Sequence, residues 1–358
     1  MLYHWLYPLH EQYAVLNVMK YISFRTVAAG LLALTVSLVL GPLLIRRLTA
    51  MQIGQSIRDD GPANHATKAG TPTMGGVLII FSLMTATLLL ADLRNWYVWM
   101  ALVVTVAHGG IGFLDDFAKV RRRNSRGLPG RTRLMAELGI GALAALALLL
   151  FSGHGGQITM PFLKDVRPDL GWWYVPFGAL VIAGAANAVN LTDGLDGLAV
   201  GPVMIAASTY VIFAYTAGNA RFAEYLQVPY VAGAGELAVF CAALSAAGLG
   251  FLWYNAYPAQ MFMGDVGSLA LGSAIGIVAL ITRQELVLVV VGAVFVAEAL
   301  SVIGQVASYK LRRKRILRMA PLHHHFELGG LPEPQIIVRF WIVSIVCALV
   351  ALSTLKLR

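Results

Sequence analysis

The chain has 358 residues, 58% of them hydrophobic and only 13% charged, with a formal net charge of +9. Soluble domains run at about 25% charged residues, so too few charges remain to coat a water-facing surface, and the bilayer is the expected solvent. The two cysteines, Cys241 and Cys347, lie in separate apolar stretches; they exclude a disulfide framework and a zinc-finger spacing and read as packing residues.

Taken in chain order, Met1 to Tyr21 lacks a continuous apolar core, so no cleavable signal peptide is expected. Ten stretches then read as spans: 23–45, 73–91, 96–114, 133–152, 174–190, 198–217, 235–254, 268–282, 286–308 and 336–355. No internal repeat or low-complexity tract is visible. The expected architecture is an all-α polytopic membrane protein of about ten transmembrane helices, organised as a single integral membrane domain over 1–358. The segment Gly153 to Trp173, with Gln157-Ile-Thr-Met-Pro-Phe162 and a Pro168-Asp169 turn signal, admits a small outer β-hairpin.

Charge sorts by side. The odd-numbered gaps between spans hold Arg46, Arg47, Arg58 and Lys68, then Lys119, Arg121, Arg122, Arg123, Arg126, Arg131 and Arg133, then Lys310, Arg312, Arg313, Lys314, Arg315 and Arg318; the even-numbered gaps are short and poor in charge. This distribution accounts for the positive net charge without nucleic acid as a partner. The positive-inside rule makes the basic side cytoplasmic, and an even number of spans puts both termini outside.

Acids crowd the same side. Asp115, Asp116, Asp193, Asp196 and Asp265 come from three chain regions, at or near span ends. Carboxylates there cost free energy unless paired, hydrated or metal-bound, and a set of hard oxygen ligands suits Mg²⁺, with substrate phosphate completing its shell. Each also has a plainer reading. Asp265 in Met263-Gly-Asp-Val-Gly-Ser268 reads alternatively as a helix N-cap, Asp193 and Asp196 in Asn190-Leu-Thr-Asp-Gly-Leu-Asp-Gly197 as turn residues, and Asp115 and Asp116 as anchors for Lys119 and the arginines beyond. Neighbouring residues on a helix point about 100° apart, so the two aspartates of that pair should differ in role. The glycine-rich Lys68-Ala-Gly-Thr-Pro-Thr-Met-Gly-Gly76 suits phosphate at a helix N-terminus but lacks the order of a P-loop.

Three consecutive histidines, His323, His324 and His325, stand in Ala320-Pro-Leu-His-His-His-Phe-Glu327. Adjacent imidazoles cannot all reach one ion without an unusual backbone, so hydrogen bonding to phosphate or proton transfer is preferred over zinc, with a structural role as the alternative. Glu298 stands inside the ninth span, where a carboxyl is a functional suspect, yet the sequence names no partner for it. Phe262, beside Asp265, is either a packing residue or a platform for a nucleobase.

Read together, these motifs resemble the polyprenyl-phosphate N-acetylhexosamine-1-phosphate transferases. Pro321-Leu-His-His-His-Phe-Glu327 resembles the muramoyl-pentapeptide branch, the phospho-N-acetylmuramoyl-pentapeptide-transferases. The likeness runs from Arg58 to the C-terminal Leu-Lys-Leu-Arg358 and also rests on Gly112-Phe-Leu-Asp-Asp-Phe117, Asn187-Ala-Val-Asn-Leu-Thr-Asp-Gly-Leu-Asp-Gly197 and Asn255-Ala-Tyr-Pro-Ala-Gln-Met-Phe-Met-Gly-Asp-Val-Gly-Ser268. The resemblance implies transfer of phospho-N-acetylmuramoyl-pentapeptide from its UDP-linked donor to undecaprenyl phosphate, giving lipid I and UMP in peptidoglycan synthesis. It also implies Mg²⁺ as cofactor, a homodimer, and a cytoplasmic-face cleft in the bacterial inner membrane. It assigns Asp265 to the metal, Asp115 and Asp116 to the lipid phosphate, Asp193, Asp196 and Asn190 to the nucleotide-sugar, and Phe262 to uracil. Lys68, Thr73, Asn187, Asn255, Gln305, His323, His324 and His325 would line the cleft, with His324 among the residues expected to act in the transfer step. A direct displacement by lipid phosphate is favoured over an aspartyl-phosphate route. The rival classes are a secondary transporter, which would place charges near the midplane in repeated halves, a sister transferase using UDP-N-acetylglucosamine, and a membrane scaffold.

Overall fold

The computed structural model describes residues 2–51, 70–122, 127–153, 155–161, 163 and 166–356. Lys68, Arg58, Arg123 and Arg126 lie outside the described residues. The helices in chain order are α1 (Leu2–Leu6), α2 (Ile22–Ala50), α3 (Gly76–Leu90), α4 (Trp96–Arg122), α5 (Gly130–Phe151), α6 (Tyr174–Thr192), α7 (Val200–Ala217), α8 (Ala220–Leu226), α9 (Leu237–Asn255), α10 (Gly264–Ile281), α11 (Val287–Val291), α12 (Ala293–Arg312), α13 (Leu322–Glu327) and α14 (Glu333–Ser353).

Among the described residues nine helices are long and apolar enough to cross a membrane, and α3 is a shorter apolar helix of 15 residues. Nine of the ten expected spans each coincide with one helix and the remaining one with the pair α11 and α12, which is the expected all-α polytopic fold. At 1.5 Å per residue α3 covers only about 22 Å, less than a bilayer core. The Thr71–Gly75 segment makes up the difference by running down against the start of α10: Phe262 N donates to Pro72 O at 2.8 Å, Gly75 N to Phe262 O at 2.8 Å and Gly76 N to Met263 O at 2.9 Å.

Nearly all of α10 is buried, and α7 and α9 are mostly buried, whereas α2, α5, α12 and α14 present wide apolar faces outward, with Leu31, Val39, Leu143, Phe151, Ile303 and Leu349 exposed. Apolar side chains facing out all round the bundle are what a lipid solvent requires. Small residues let α10 lie close to its neighbours. A Cβ on Gly112 of α4 would fall 2.2 Å from the Asp265 carbonyl oxygen, and one on Gly76 would fall 2.2 Å from Gly267. Those contacts bring the acidic end of α4 against the start of α10.

Two expectations need correction. The ninth span is not one helix: it breaks at Gly292 between α11 and α12, the glycine adopting φ −93° and ψ 22°. Among the described residues the hairpin expected between Gly153 and Trp173 reduces to one antiparallel bridge, Gln157 to Asp169, and Asp169 accepts from Gly171 N at 2.8 Å. Both cysteines are free, with Cys241 buried.

The helices alternate in direction, so the C-terminal ends of α4, α6, α9 and α12 share one end of the bundle with the N-terminal ends of α3, α5, α10 and α14. At the opposite end Arg25 and Glu236 form a buried two-pronged pair, with 2.6 Å for each N–H to O contact. Arg25 also donates to Leu90 O at 3.2 Å and lies over the Tyr3 ring, while Asp92 N donates to Glu236 at 2.9 Å. Near that end, in the turn after α10, Glu285 is fully enclosed, and burial pushes its carboxyl up to about 8.

Candidate active site

Asp115 and Asp116 sit on the last two turns of α4, and Asp265 on the first turn of α10. Asp265 is not the N-cap: that position belongs to Met263, which makes no side-chain cap, so the plainer reading of Asp265 fails. One oxygen from each of the three carboxylates lies within 4.8 Å of the others. Lys119, one turn beyond Asp115, reaches into the middle of them. Its Nζ is 2.6 Å from Asp115, 2.7 Å from Asp265 and 3.5 Å from Asp116. The aspartate pair therefore anchors Lys119 and, with Asp265, forms a cluster of oxygens.

The two aspartates differ in their partners. Asp115 accepts from Leu128 N at 2.7 Å and so ties the cluster to the loop before α5. Asp116 accepts from Val266 N at 3.1 Å, at the start of α10. Gly264 has φ +73°, and a Cβ there would lie 2.5 Å from Asp116 Oδ2 and 3.1 Å from the Thr73 hydroxyl. Only glycine gives that backbone and that clearance together, and it sets Thr73 beside the cluster.

Arg133 of α5 forms the second cationic wall. It donates to Asp265 at 3.1 Å, to Asn187 at 3.3 Å and to Asn190 at 3.4 Å, and it lies 3.4 Å from Glu137. Asn190 donates in turn to Asp265 at 2.6 Å and to Ser268 at 2.8 Å, and Asn187 donates to Glu137. Asp193, in the turn that ends α6, is pushed up to about 8 by burial and by the negative charges of Asp265, Asp116 and Asp196. Carboxylates from α4, α5 and α10 outnumber Lys119 and Arg133, so the site carries surplus negative charge on oxygen donors alone. That composition fits a hard divalent cation such as Mg²⁺ and does not suit a soft metal.

Other candidates brace the walls. Asp196 accepts from Ala259 N at 3.0 Å, and its own N–H donates to Glu333 of α14 at 2.9 Å. Asn255 accepts from Gly197 N at 3.0 Å and donates to Met261 O at 2.8 Å. These bonds clip the Asp193–Gly197 turn to the loop between α9 and α10, on which Phe262 is half-buried. Gln305 organises the turn after α12, accepting from Ile316 N at 2.9 Å and Leu317 N at 3.0 Å and donating to Leu317 O at 3.0 Å.

The three histidines go three ways. His323 is fully buried against Glu298. His324 Nδ1 lies 2.9 Å from Glu327, and His325 Nδ1 accepts from Arg318 N at 3.1 Å. Sequence reasoning missed Arg133 and Glu137 as members of the cluster and Glu298 as the partner of His323. Their one sequence signal was a charge at a span end or inside a span.

Comparison with known proteins agrees with this geometry. A family model described as Glycosyl transferase family 4 matches residues 98–283, and one described as Phospho-N-acetylmuramoyl-pentapeptide-transferase signature 1 matches residues 68–80. Proteins named phospho-N-acetylmuramoyl-pentapeptide-transferase are 56% identical over 358 residues in Geobacter sp. (strain M21), 57% over 358 in Pelobacter propionicus and 57% over 359 in Syntrophus aciditrophicus, each covering 100% of both chains. With this identity from end to end, and with the matched segment enclosing the whole α4–α10 carboxylate cluster, the chain belongs to the phospho-N-acetylmuramoyl-pentapeptide-transferase family.

Proposed function

We propose that the protein transfers phospho-N-acetylmuramoyl-pentapeptide from UDP-N-acetylmuramoyl-pentapeptide to undecaprenyl phosphate, releasing lipid I and UMP, as one Mg²⁺-dependent transferase domain. The observation that carries this reading is the convergence of Asp115, Asp116 and Asp265 around Lys119 at one end of the bundle. Phosphoryl transfer asks for positioning and charge neutralisation more than for covalent help. A phosphate oxygen of the lipid attacks the phosphorus bonded to the sugar, that phosphorus parts from the oxygen bridging to UMP, and UMP leaves with the bonding pair.

Asp265, with Asp115 and Asp116 beside it, would hold Mg²⁺, which would supply charge shielding for the diphosphate and the leaving UMP. Lys119 and Arg133 keep the crowded carboxylates in register and offset repulsion between two anionic substrates. Asp115 and Asp116 orient the lipid phosphate. Asn190, Asp193 and Asp196 shape the nucleotide-sugar side, and Phe262 stacks on uracil. Thr73, Asn187, Asn255, Gln305, His323 and His325 line or brace the cleft, Lys68 adds a charge to it, and His324 donates a hydrogen bond to phosphate during transfer.

The basic gaps favour a cytoplasmic cleft in the bacterial inner membrane with both termini outside, and the protein acts as a homodimer. A cysteine placed near Arg122 should then be shielded from an impermeant reagent in intact cells while one near Thr159 labels; labelling of the Arg122 site from outside overturns that orientation. The reaction itself is tested by offering the purified protein undecaprenyl phosphate with either UDP-N-acetylmuramoyl-pentapeptide or UDP-N-acetylglucosamine. UMP release from the first alone, lost in chelator and restored by Mg²⁺, is expected. Release from the second donor instead, or release indifferent to chelator, defeats the proposal.

A further inference from the structure

Glu298 lies on α12 with no exposed surface. A carboxylate enclosed in a membrane span is costly unless several donors reach it. All three donors recorded for it come from one short segment. Leu322 N donates to Oε2 at 2.6 Å, His323 N donates to Oε1 at 3.1 Å, and His323 Nδ1 lies 3.1 Å from the same Oε1. The carboxylate therefore fastens the start of α13 to α12 and, with the same atoms, grips the ring of His323.

That grip has a chemical consequence. A carboxylate oxygen only accepts, so the ring must carry its proton on Nδ1. A neutral His323 then has its lone pair on Nε2. The Nε2 atom is buried and has no hydrogen-bond partner among the described residues. It faces the turn after α6: a Cβ on Gly194 would lie 2.2 Å from Nε2 and 2.8 Å from Cε1. A larger residue at Gly194 would displace the ring. An orphaned ring nitrogen against the Asp193–Gly197 turn marks a place for a polar group that the described residues do not supply.

We propose that Glu298 is a positioning residue for the transfer reaction. Through Nδ1 of His323 it fixes the tautomer and direction of that ring, so that Nε2 meets the diphosphate–sugar portion of the donor at the Asp193–Gly197 turn. This rests on the donor reading of the cleft given above. Glu298 touches no substrate and acts through His323. The pair follows the logic by which a carboxylate orients a histidine from behind, where removing the orienting group costs roughly 10- to 100-fold in activity.

The experiment has two arms. In the first, ¹⁵N spectra of histidine-labelled protein are recorded at mildly alkaline pH without substrate, with His323 signals assigned by their loss in His323→Gln. Wild type should show the Nδ1–H tautomer, and Glu298→Leu, which leaves Nδ1 no acceptor at this position, should lose it in favour of Nε2–H. An unchanged tautomer in Glu298→Leu overturns the proposal, whether or not the protein is an active transferase; if Glu298→Leu does not fold, Glu298→Asp takes its place in this arm. In the second arm, kcat and KM are measured for Glu298→Gln, His323→Ala and the double variant. The proposal expects roughly 10- to 100-fold lower kcat for Glu298→Gln with the KM for lipid acceptor unmoved. It also expects a double variant within about threefold of His323→Ala, because the two residues act as a unit. Multiplying losses in the double variant overturn it. If Glu298→Gln does not yield folded protein, Glu298→Asp replaces it in the second arm. It should keep the Nδ1–H tautomer and part of the activity, and multiplying losses with His323→Ala again overturn the proposal. A wild type that forms no UMP from either donor defeats the functional reading and leaves the spectroscopic arm to decide the role of Glu298.

Discussion

The two ends of the helix bundle treat buried charge in opposite ways. At one end Arg25 and Glu236 match each other, two N–H groups to two oxygens, and the spare acceptor capacity is taken up by Asp92 N. At the other end Asp115, Asp116, Asp265 and Glu137 crowd around Lys119 and Arg133 and leave negative charge over. A closed pair needs nothing further and serves to hold helices together. An unbalanced cluster costs stability by itself and makes sense when something positive, or something carrying a cation, completes it. Buried charge alone therefore does not mark a site; charge imbalance does.

The largest expected effect breaks that contrast at its centre. Asp265→Asn removes a charged oxygen ligand from between α4 and α10, and should cost several kcal/mol of transition-state stabilisation, about a thousandfold in kcat. Its melting temperature should stay close to wild type, because relieving carboxylate crowding offsets the lost pairing with Lys119. Near-normal activity at low Mg²⁺ would remove Asp265 from the metal.

Next comes the opposite end. Glu236→Ala strands a buried guanidinium and should destabilise the fold by about 3–5 kcal/mol, while turnover per folded molecule is unchanged. Thermal unfolding in detergent, with activity normalised to folded protein, checks both halves. A variant as stable as wild type but poor in turnover would erase the distinction between the two ends.

A smaller effect is expected at His324, which lies at the site end but beside Glu327 and not in the carboxylate cluster. Losing a charge-assisted hydrogen bond costs about 1.5–3 kcal/mol, roughly ten- to over a hundredfold in rate if the bond forms only at the transition state. His324→Ala should lower kcat at saturating Mg²⁺ and leave the Mg²⁺ titration midpoint in place. Full rescue by excess Mg²⁺, or stoichiometric zinc in wild type that disappears in the variant, would defeat that role.

A pH-dependent effect is expected at Glu285, whose carboxyl burial pushes up to about 8 from an ordinary 4.5. The folded state holds this proton more tightly than the unfolded chain does. The associated stability is complete below about pH 4.5 and is lost as pH rises towards 8, by at most about 1.4 kcal/mol per pH unit. Glu285→Gln carries no such proton, so its stability relative to wild type should grow between pH 5 and pH 8. A difference in melting temperature that is flat with pH would mean the carboxyl is ionised throughout.

Much of this was legible because it is local. Membrane helices are written as runs of about 20 apolar residues, and every span read from the sequence is present as a helix. The exception, the break at Gly292, falls where one glycine sits inside an unbroken apolar run and hydropathy has nothing to register. Asp115, Asp116, Asp193, Asp196 and Asp265 were legible as a group because carboxylates at the ends of apolar runs are rare enough to stand out. The partnership of Glu298 with His323 spans 25 positions, and that of Arg25 with Glu236 spans 211. No periodicity reports on such pairs, since they exist only once the helices between them have packed.

The sequence by itself determined the solvent, the helices, the side on which charge collects and the resemblance to phosphoglycosyl transfer. The first three follow from composition within a window of a few turns, and the resemblance follows from the motifs taken together. Tertiary structure alone decided which carboxylates gather around Lys119, that Arg133 joins them, and that the three adjacent histidines take three different partners. The reason is close packing. Glycines 76, 112 and 264 let α3 and α4 approach the start of α10 to backbone contact, and that approach, invisible along the chain, converts separated motifs into one site.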